Sequence, residues 1–191
     1  MTAAAREARA GVAIAMKFVE TAVPGAFIIE LERVEDERGF SARSFCRREF
    51  EAHRLNPDLA QCNISYNRIR GTLRGMHYQA APHAECKLVR CTRGAIYDAI
   101  IDLRPDSPTF RRWVGYELSA ENRRMLYVPE GVAHGFETLV ADTEVFYQMS
   151  EFYFAECQRG VRWDDPAFGV AWPMRPVVIS DRDAGYPDFS R

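Results

Sequence analysis

Three side chains of this sequence combine a reactive type with a distinctive setting. His77 lies in the string GTLRGMHYQ at residues 71–79, Lys87 heads the run KLVRC, and His134 lies in PEGVAHGF. A neutral imidazole can hold a metal ion or take a proton. An ammonium group has three donors and no lone pair, so Lys87 cannot be a metal ligand. It can stabilise an oxyanion that develops in a dry cavity, such as an enolate. A histidine base with such a lysine points to proton abstraction from the carbon next to a carbonyl.

The strings around these residues resemble an altered cupin signature. Residues 129–134 read P-x-G-x-x-H, the second cupin motif, with Thr138 where the motif ends in Asn. His77-Tyr78-Gln79 stands where metal cupins have H-x-H, and Lys87, upstream of Gly94, stands where they have a glutamate ligand. Gln79 and Lys87 thus replace two ligands that a divalent ion would need. A residual metal set could still be assembled from His77, His83, Glu85 and His134, but its spacing fits no standard motif. It would also put the Lys87 charge beside the ion.

These residues need a scaffold, and the patterning supplies one. Short β-rich or alternating runs recur at residues 26–31, 40–46, 61–66, 87–93, 95–102, 110–118, 124–128, 135–139 and 144–149. Turn signals separate them, including Asp36-Glu37-Arg38-Gly39, Arg93-Gly94 and Pro129-Glu130-Gly131. That spacing predicts an all-β antiparallel sandwich or barrel. A helix is expected over residues 47–54, closed by Asn56-Pro57, and a second short one over 164–168. Residues 17–191 read as a single domain whose tail wraps over the sandwich, and residues 1–16 read as a disordered leader, with Met16 a candidate start.

Composition bounds the partners. A net charge of -2 gives no broad basic face for nucleic acid. The apolar run at residues 11–16 is too short for a signal segment or a membrane span. The five cysteines form no CxxC pair, and their odd number argues against a disulfide framework. Reduced thiols in the cytoplasm are the expectation.

Across residues 18–183 the chain is similar to the dTDP-4-dehydrorhamnose 3,5-epimerase family. The resemblance is carried by Asp36-Glu37-Arg38-Gly39-Phe40, GTLRGMHYQ, KLVRC, residues 113–122, PEGVAHGF and Trp163-Asp164-Asp165-Pro166. It implies a cupin-type jelly-roll sandwich with a few short helices, a homodimer, no metal and no cofactor. The implied substrate is a nucleoside-diphosphate 4-keto-6-deoxyhexose. His77 would remove the proton next to the ketone, with Asp183 of Ser180-Asp181-Arg182-Asp183 orienting it. Lys87 would hold the C4 oxygen, and Tyr147 would return a proton on the opposite face. Arg74 and His134 would meet the diphosphate or the sugar. Gln61 and Asn63 fall near the phosphates, Arg38 reaches a phosphate from the other subunit, and Tyr153 stacks on the base. The chain departs from the family pattern at Arg43, at Gln158 with Ala155, and at Arg182, positions expected around the nucleotide.

Other readings stand beside these. An epimerase of C3 alone or C5 alone, a metal-dependent cupin and a non-catalytic sugar-binding cupin all use the same scaffold. His53 reads as a structural histidine of the helix, and His83, beside Pro82, as a loop residue at the cavity mouth. Tyr147 could equally be a core residue, and Trp163 and Trp172 read as packing residues of the tail.

Overall fold

The computed structural model describes residues 14–190. Residues 1–13 of the expected leader lie outside the described residues. Met16, placed in that leader by the sequence reading, instead opens the first strand and is buried.

Thirteen strands are described: β1 (Met16–Glu20), β2 (Phe27–Leu31), β3 (Val34–Asp36), β4 (Gly39–Ser41), β5 (Gln61–Asn67), β6 (Leu73–Gln79), β7 (Lys87–Arg93), β8 (Ala95–Asp102), β9 (Trp113–Ser119), β10 (Met125–Val128), β11 (Val132–Thr138), β12 (Thr143–Met149) and β13 (Gln158–Gly160). Two short helices are α1 (Arg47–Ala52) and α2 (Asp181–Ala184). A six-stranded sheet runs β1-β2-β10-β7-β12-β5, a five-stranded sheet runs β13-β6-β11-β8-β9, and β3 pairs only with β4. Every pairing of the two large sheets is antiparallel, which makes the sandwich among the forms the patterning predicts and fits the jelly roll that the resemblance implies.

The two-residue period of each strand sorts its side chains. On β7, Val89 and Cys91 join the core between the sheets, while Leu88 joins a second cluster outside. On β10, Leu126 and Val128 point in, and Met125 and Tyr127 point out, where Phe50 of α1 covers them. The inner core adds Ile100, Leu118, Val132, Phe136 and Val145 from both sheets. Lys87 and Tyr147 share the inward faces of their strands, where the aliphatic filling gives way to a cavity.

Several local expectations are corrected. The run 40–46 forms a strand only at Gly39–Ser41, and the run 110–118 starts its strand at Trp113, because Arg111 takes a left-handed turn at φ 67°. Helix α1 ends at Ala52, two residues before the predicted end, with Arg54 at φ 60°. Residues 164–168 form turns, not a helix. There the buried Asp165 carboxylate accepts from the Ala167 N–H at 2.8 Å and the Phe189 N–H at 2.6 Å, an alternative that competes with helical bonding. His53 stacks on Phe18 with ring centroids 3.9 Å apart, the structural role expected of it.

The tail wraps the outer face of the five-stranded sheet. Trp172 packs on the cluster around Met76, Ala99 and Ile101, and its indole N–H donates to the Trp163 carbonyl at 2.9 Å. The chain then runs beside β6: Val177 N–H donates to Gly71 O and Leu73 N–H to Val178 O, both at 2.8 Å. Ser180 caps α2, its hydroxyl accepting from the Asp183 N–H at 3.2 Å. This path carries Asp183 to the middle of β6.

Candidate active site

The cavity between the sheets has a volume of about 680 Å³, a size suited to a ligand larger than a simple sugar. His77 and His134 line it from the five-stranded sheet, as register partners on β6 and β11. Lys87 and Tyr147 line it from the six-stranded sheet. The two histidines therefore face the lysine and the tyrosine across the space.

His77 Nε2 lies 2.7 Å from Asp183 Oδ1. A carboxylate only accepts, so the Nε2–H donates to it and the Nδ1 lone pair is left free to take a proton. Asp183 also accepts from the Gly75 N–H at 3.1 Å and from Arg182 Nε at 3.3 Å. Burial opposes ionisation of Asp183. The hydrogen bond and charge of His77, the Gly75 N–H and the Arg182 charge outweigh it and hold the carboxyl below its ordinary range. Arg182 Nη2 stands 3.1 Å from His77 Nε2; with Nε2–H committed to Asp183, this is a close approach of two donors.

Gly75 is required by this geometry. Its φ is +132°, and a Cβ placed there would stand 2.5 Å from the Gly135 Cα. The glycines of RGMH and AHGF thus let β6 and β11 touch beside the two histidines, and they aim the Gly75 N–H at Asp183.

His134 Nε2 lies 2.6 Å from Asp98 Oδ1. The approach is off the hydrogen-bonding direction, so neither atom has an aligned partner despite the short distance. Burial pushes the Asp98 carboxyl upward; the adjoining His134 ring and the Lys87 charge oppose the shift without reversing it. Lys87 Nζ pairs with Glu85 Oε1 at 3.0 Å and donates to the His77 carbonyl at 3.4 Å.

The outer part of the cavity is amide- and arginine-rich. Gln61 and Asn63 of β5 and Arg74 of β6 line it, with Arg74 Nε donating to Asn67 Oδ1 at 2.7 Å. The exposed Tyr153 lines it too, its hydroxyl donating to Gln158 Oε1 at 2.7 Å. The same oxygen accepts from Arg182 Nη1 at 3.2 Å.

Of the twelve residues that the sequence singles out, eleven line this cavity and Arg38 does not. Arg38 sits in the turn between β3 and β4, well exposed, pairing with Asp36 at 2.5 Å. Arg43 is also elsewhere, held by Glu49 of α1 at 2.6 Å. His83 does not line the cavity: its ring stacks on Phe154 with centroids 3.5 Å apart. Its withdrawal leaves the four-ligand metal set incomplete, and among the described residues no three His, Cys, Asp or Glu side chains gather as a metal site. Two residues escaped the sequence reading. Asp98 carried a signal, an acid inside the apolar strand AIYDAIID. Glu85, two places before Lys87, was weighed only as a metal ligand.

The family model described as dTDP-4-dehydrorhamnose 3,5-epimerase matches residues 20–191. A protein named dTDP-4-dehydrorhamnose 3,5-epimerase from Sinorhizobium fredii is 43% identical over 175 residues, covering 91% of this chain and 90% of its own. A crystal structure under the same name from Bacillus anthracis, with TDP and pyrophosphate bound, matches with a TM-score of 0.88 and 43% identity, covering 92% of this chain and 100% of its own. A 3'-monoepimerase from Streptomyces bikiniensis in complex with dTDP-quinovose matches with a TM-score of 0.81 and 33% identity, covering 88% of this chain and 85% of its own.

Proposed function

The chain belongs to the dTDP-4-dehydrorhamnose 3,5-epimerase family, and from that premise we propose that it is an isomerase converting dTDP-4-dehydro-6-deoxy-D-glucose to dTDP-4-dehydro-L-rhamnose. The observation that carries the reading is the placement of His77, held by Asp183, on one wall and of Lys87 and Tyr147 on the other. Inversion at carbon needs removal of a proton from one face and return of another to the opposite face.

The steps balance without a redox partner. His77 Nδ1 takes the proton from a carbon adjacent to the C4 ketone, and the electron pair moves onto the C4 oxygen. Lys87 stabilises that oxyanion, and Asp183 stabilises the imidazolium. Tyr147 then gives its phenolic proton to the carbon from the other face. The imidazolium returns its proton to solvent and the tyrosinate regains one. Repetition at the second carbon gives the doubly inverted product.

Binding roles follow the layout. Arg74, Gln61, Asn63 and His134 meet the diphosphate and sugar, and Tyr153 with Gln158 and Arg182 meets the nucleoside. Arg38, exposed on its hairpin, serves a second copy of the chain, so the working form is a homodimer with each site completed by its neighbour. The exposed Ile64 and Tyr66 of β5 and Phe40 of β4 are apolar surface that such a dimer would cover. The free thiols Cys46, Cys62, Cys86, Cys91 and Cys157 suit the cytoplasm. Among the described residues no helix is long and apolar enough to cross a membrane.

The 3'-monoepimerase neighbour favours one second reading, inversion at C3 alone. Turnover of dTDP-4-keto-6-deoxyglucose in deuterated buffer separates them. Deuterium at both C3 and C5 is the expected result. Deuterium at one carbon supports a monoepimerase, and exchange at neither refutes the reaction class.

A further inference from the structure

Glu85 is a cavity group that neither fold nor base chemistry requires. It precedes β7 in the loop after β6, and its side chain is only 13% exposed. The loop is tied down on several sides. The buried Gln79 donates to the carbonyls of His83 at 2.6 Å and Phe152 at 2.9 Å, and accepts from the Phe154 N–H at 2.8 Å. The Cys86 N–H donates to the Ser150 hydroxyl at 2.8 Å, and His83 stacks on Phe154. Glu85 is therefore presented to the cavity from a fixed backbone.

The carboxylates that line the cavity are Glu85 and Asp183. Asp183 is committed to His77, Gly75 and Arg182. Glu85 uses Oε1 for Lys87 at 3.0 Å, and Oε2 makes no hydrogen bond or ion pair with a described residue. Most of the remaining charged lining is cationic and donates. An acceptor-only oxygen in such a cavity complements a ligand hydroxyl.

We propose that Glu85 is a substrate-binding residue that accepts a hydrogen bond from the sugar C3 hydroxyl, next to the ketone oxygen held by Lys87. The proposal rests on the epimerase reading above. In a 4-keto-6-deoxyhexose the carbons flanking the ketone are C3 and C5. C3 carries a hydroxyl, and C5 carries a methyl group and the ring oxygen. A carboxylate 3.0 Å from the ammonium that holds the C4 oxygen is thus within reach of one neighbouring donor, the C3 hydroxyl. That bond anchors the ring on its C3 side and holds the C3–H toward His77, a geometric contribution greatest at that carbon.

The test is position-resolved deuterium exchange by wild type, Glu85→Ala and Glu85→Gln on dTDP-4-keto-6-deoxyglucose, with dTDP affinity measured alongside. Glu85→Ala is expected to lower the ratio of C3 to C5 exchange by about ten-fold or more, the scale of one hydrogen bond to a charged group. Glu85→Gln keeps an acceptor oxygen and recovers part of the ratio. An unchanged ratio in Glu85→Ala overturns the proposal, as does parallel loss of both exchanges and of dTDP affinity, which marks a collapsed pocket. Wild-type protein that exchanges at neither carbon overturns the epimerase reading itself and the proposal with it; normal wild-type exchange with an unchanged ratio overturns the proposal alone.

Discussion

Replacing Asp183 by Asn keeps the shape of the side chain and removes its charge. In the native site Oδ1 accepts the His77 Nε2–H at 2.7 Å and Oδ2 accepts the Gly75 N–H at 3.1 Å. An amide has one oxygen to offer these two donors. If the oxygen stays with Gly75, the amide NH2 faces His77 and the imidazole must turn Nε2 into an acceptor. Its proton then sits on Nδ1, the nitrogen that should take the substrate proton. The imidazolium also loses its counterion. Two unit charges 2.7 Å apart attract by about 6 kcal/mol at an effective dielectric of 20. His77 is 23% exposed, so solvent screening reduces this to roughly 3–5 kcal/mol. Arg182, 3.1 Å from Nε2, is left as an uncompensated positive neighbour and deepens the loss. The expected outcome is a fall in kcat of about 10²- to 10⁴-fold, with dTDP affinity retained. Solvent-deuterium exchange gives the rate and calorimetric titration with dTDP gives the binding. A variant within ten-fold of wild type would refute the argument that Asp183 sets the tautomer and charge of His77.

Three further outcomes follow from the same structure. Tyr147→Phe removes the returning acid but leaves the base, so stereochemical inversion should fall by about 10²-fold or more while exchange at the carbons persists; equal loss of both would place Tyr147 elsewhere in the reaction. Gly75→Ala puts a Cβ 2.5 Å from the Gly135 Cα at a φ of +132°, so the variant should be destabilised by roughly 3 kcal/mol or fail to fold, read by denaturant melts. Asp102 is buried, which opposes its ionisation, yet bonds from Arg104, Ser107 and Thr109 bring its pKa down to about 2. Because the folded value is depressed, this stabilisation is present above the unfolded carboxylate pKa and is lost as pH falls toward 2. Asp102→Asn should therefore cost about 2–3 kcal/mol near neutrality and little near pH 2, and a pH-independent penalty would contradict the assignment.

What the sequence disclosed depended on the range of the interaction. The strands with regular alternation, such as β7, β8 and β12, are legible because each inward residue faces the same core. The three-residue strands β3, β4 and β13 are too short to show a period. The helix expected at residues 164–168 is lost to the Asp165 carboxylate, whose partner Phe189 lies 24 positions away. The site was readable in segments that carry long motifs: His77, His134 and Lys87. Asp183 was not readable from spacing, since 106 positions separate it from His77; the resemblance of the tail segment supplied it. Arg38 and Arg43 show the converse, being motif residues that the single chain keeps away from its own cavity. Glu85 was weighed only as a metal ligand, because its turn into the cavity depends on Gln79, Ser150 and Phe154 holding the loop.

The assignment of His77 as the base underlies every step of the proposed reaction. It is tested most directly by deuterium incorporation into dTDP-4-keto-6-deoxyglucose by His77→Ala, compared with wild type at equal dTDP occupancy. Wild type is expected to incorporate deuterium at C3 and C5, and the variant none above the uncatalysed rate. Exchange surviving in a His77→Ala protein that still binds dTDP would contradict it and move the base to another residue of the cavity.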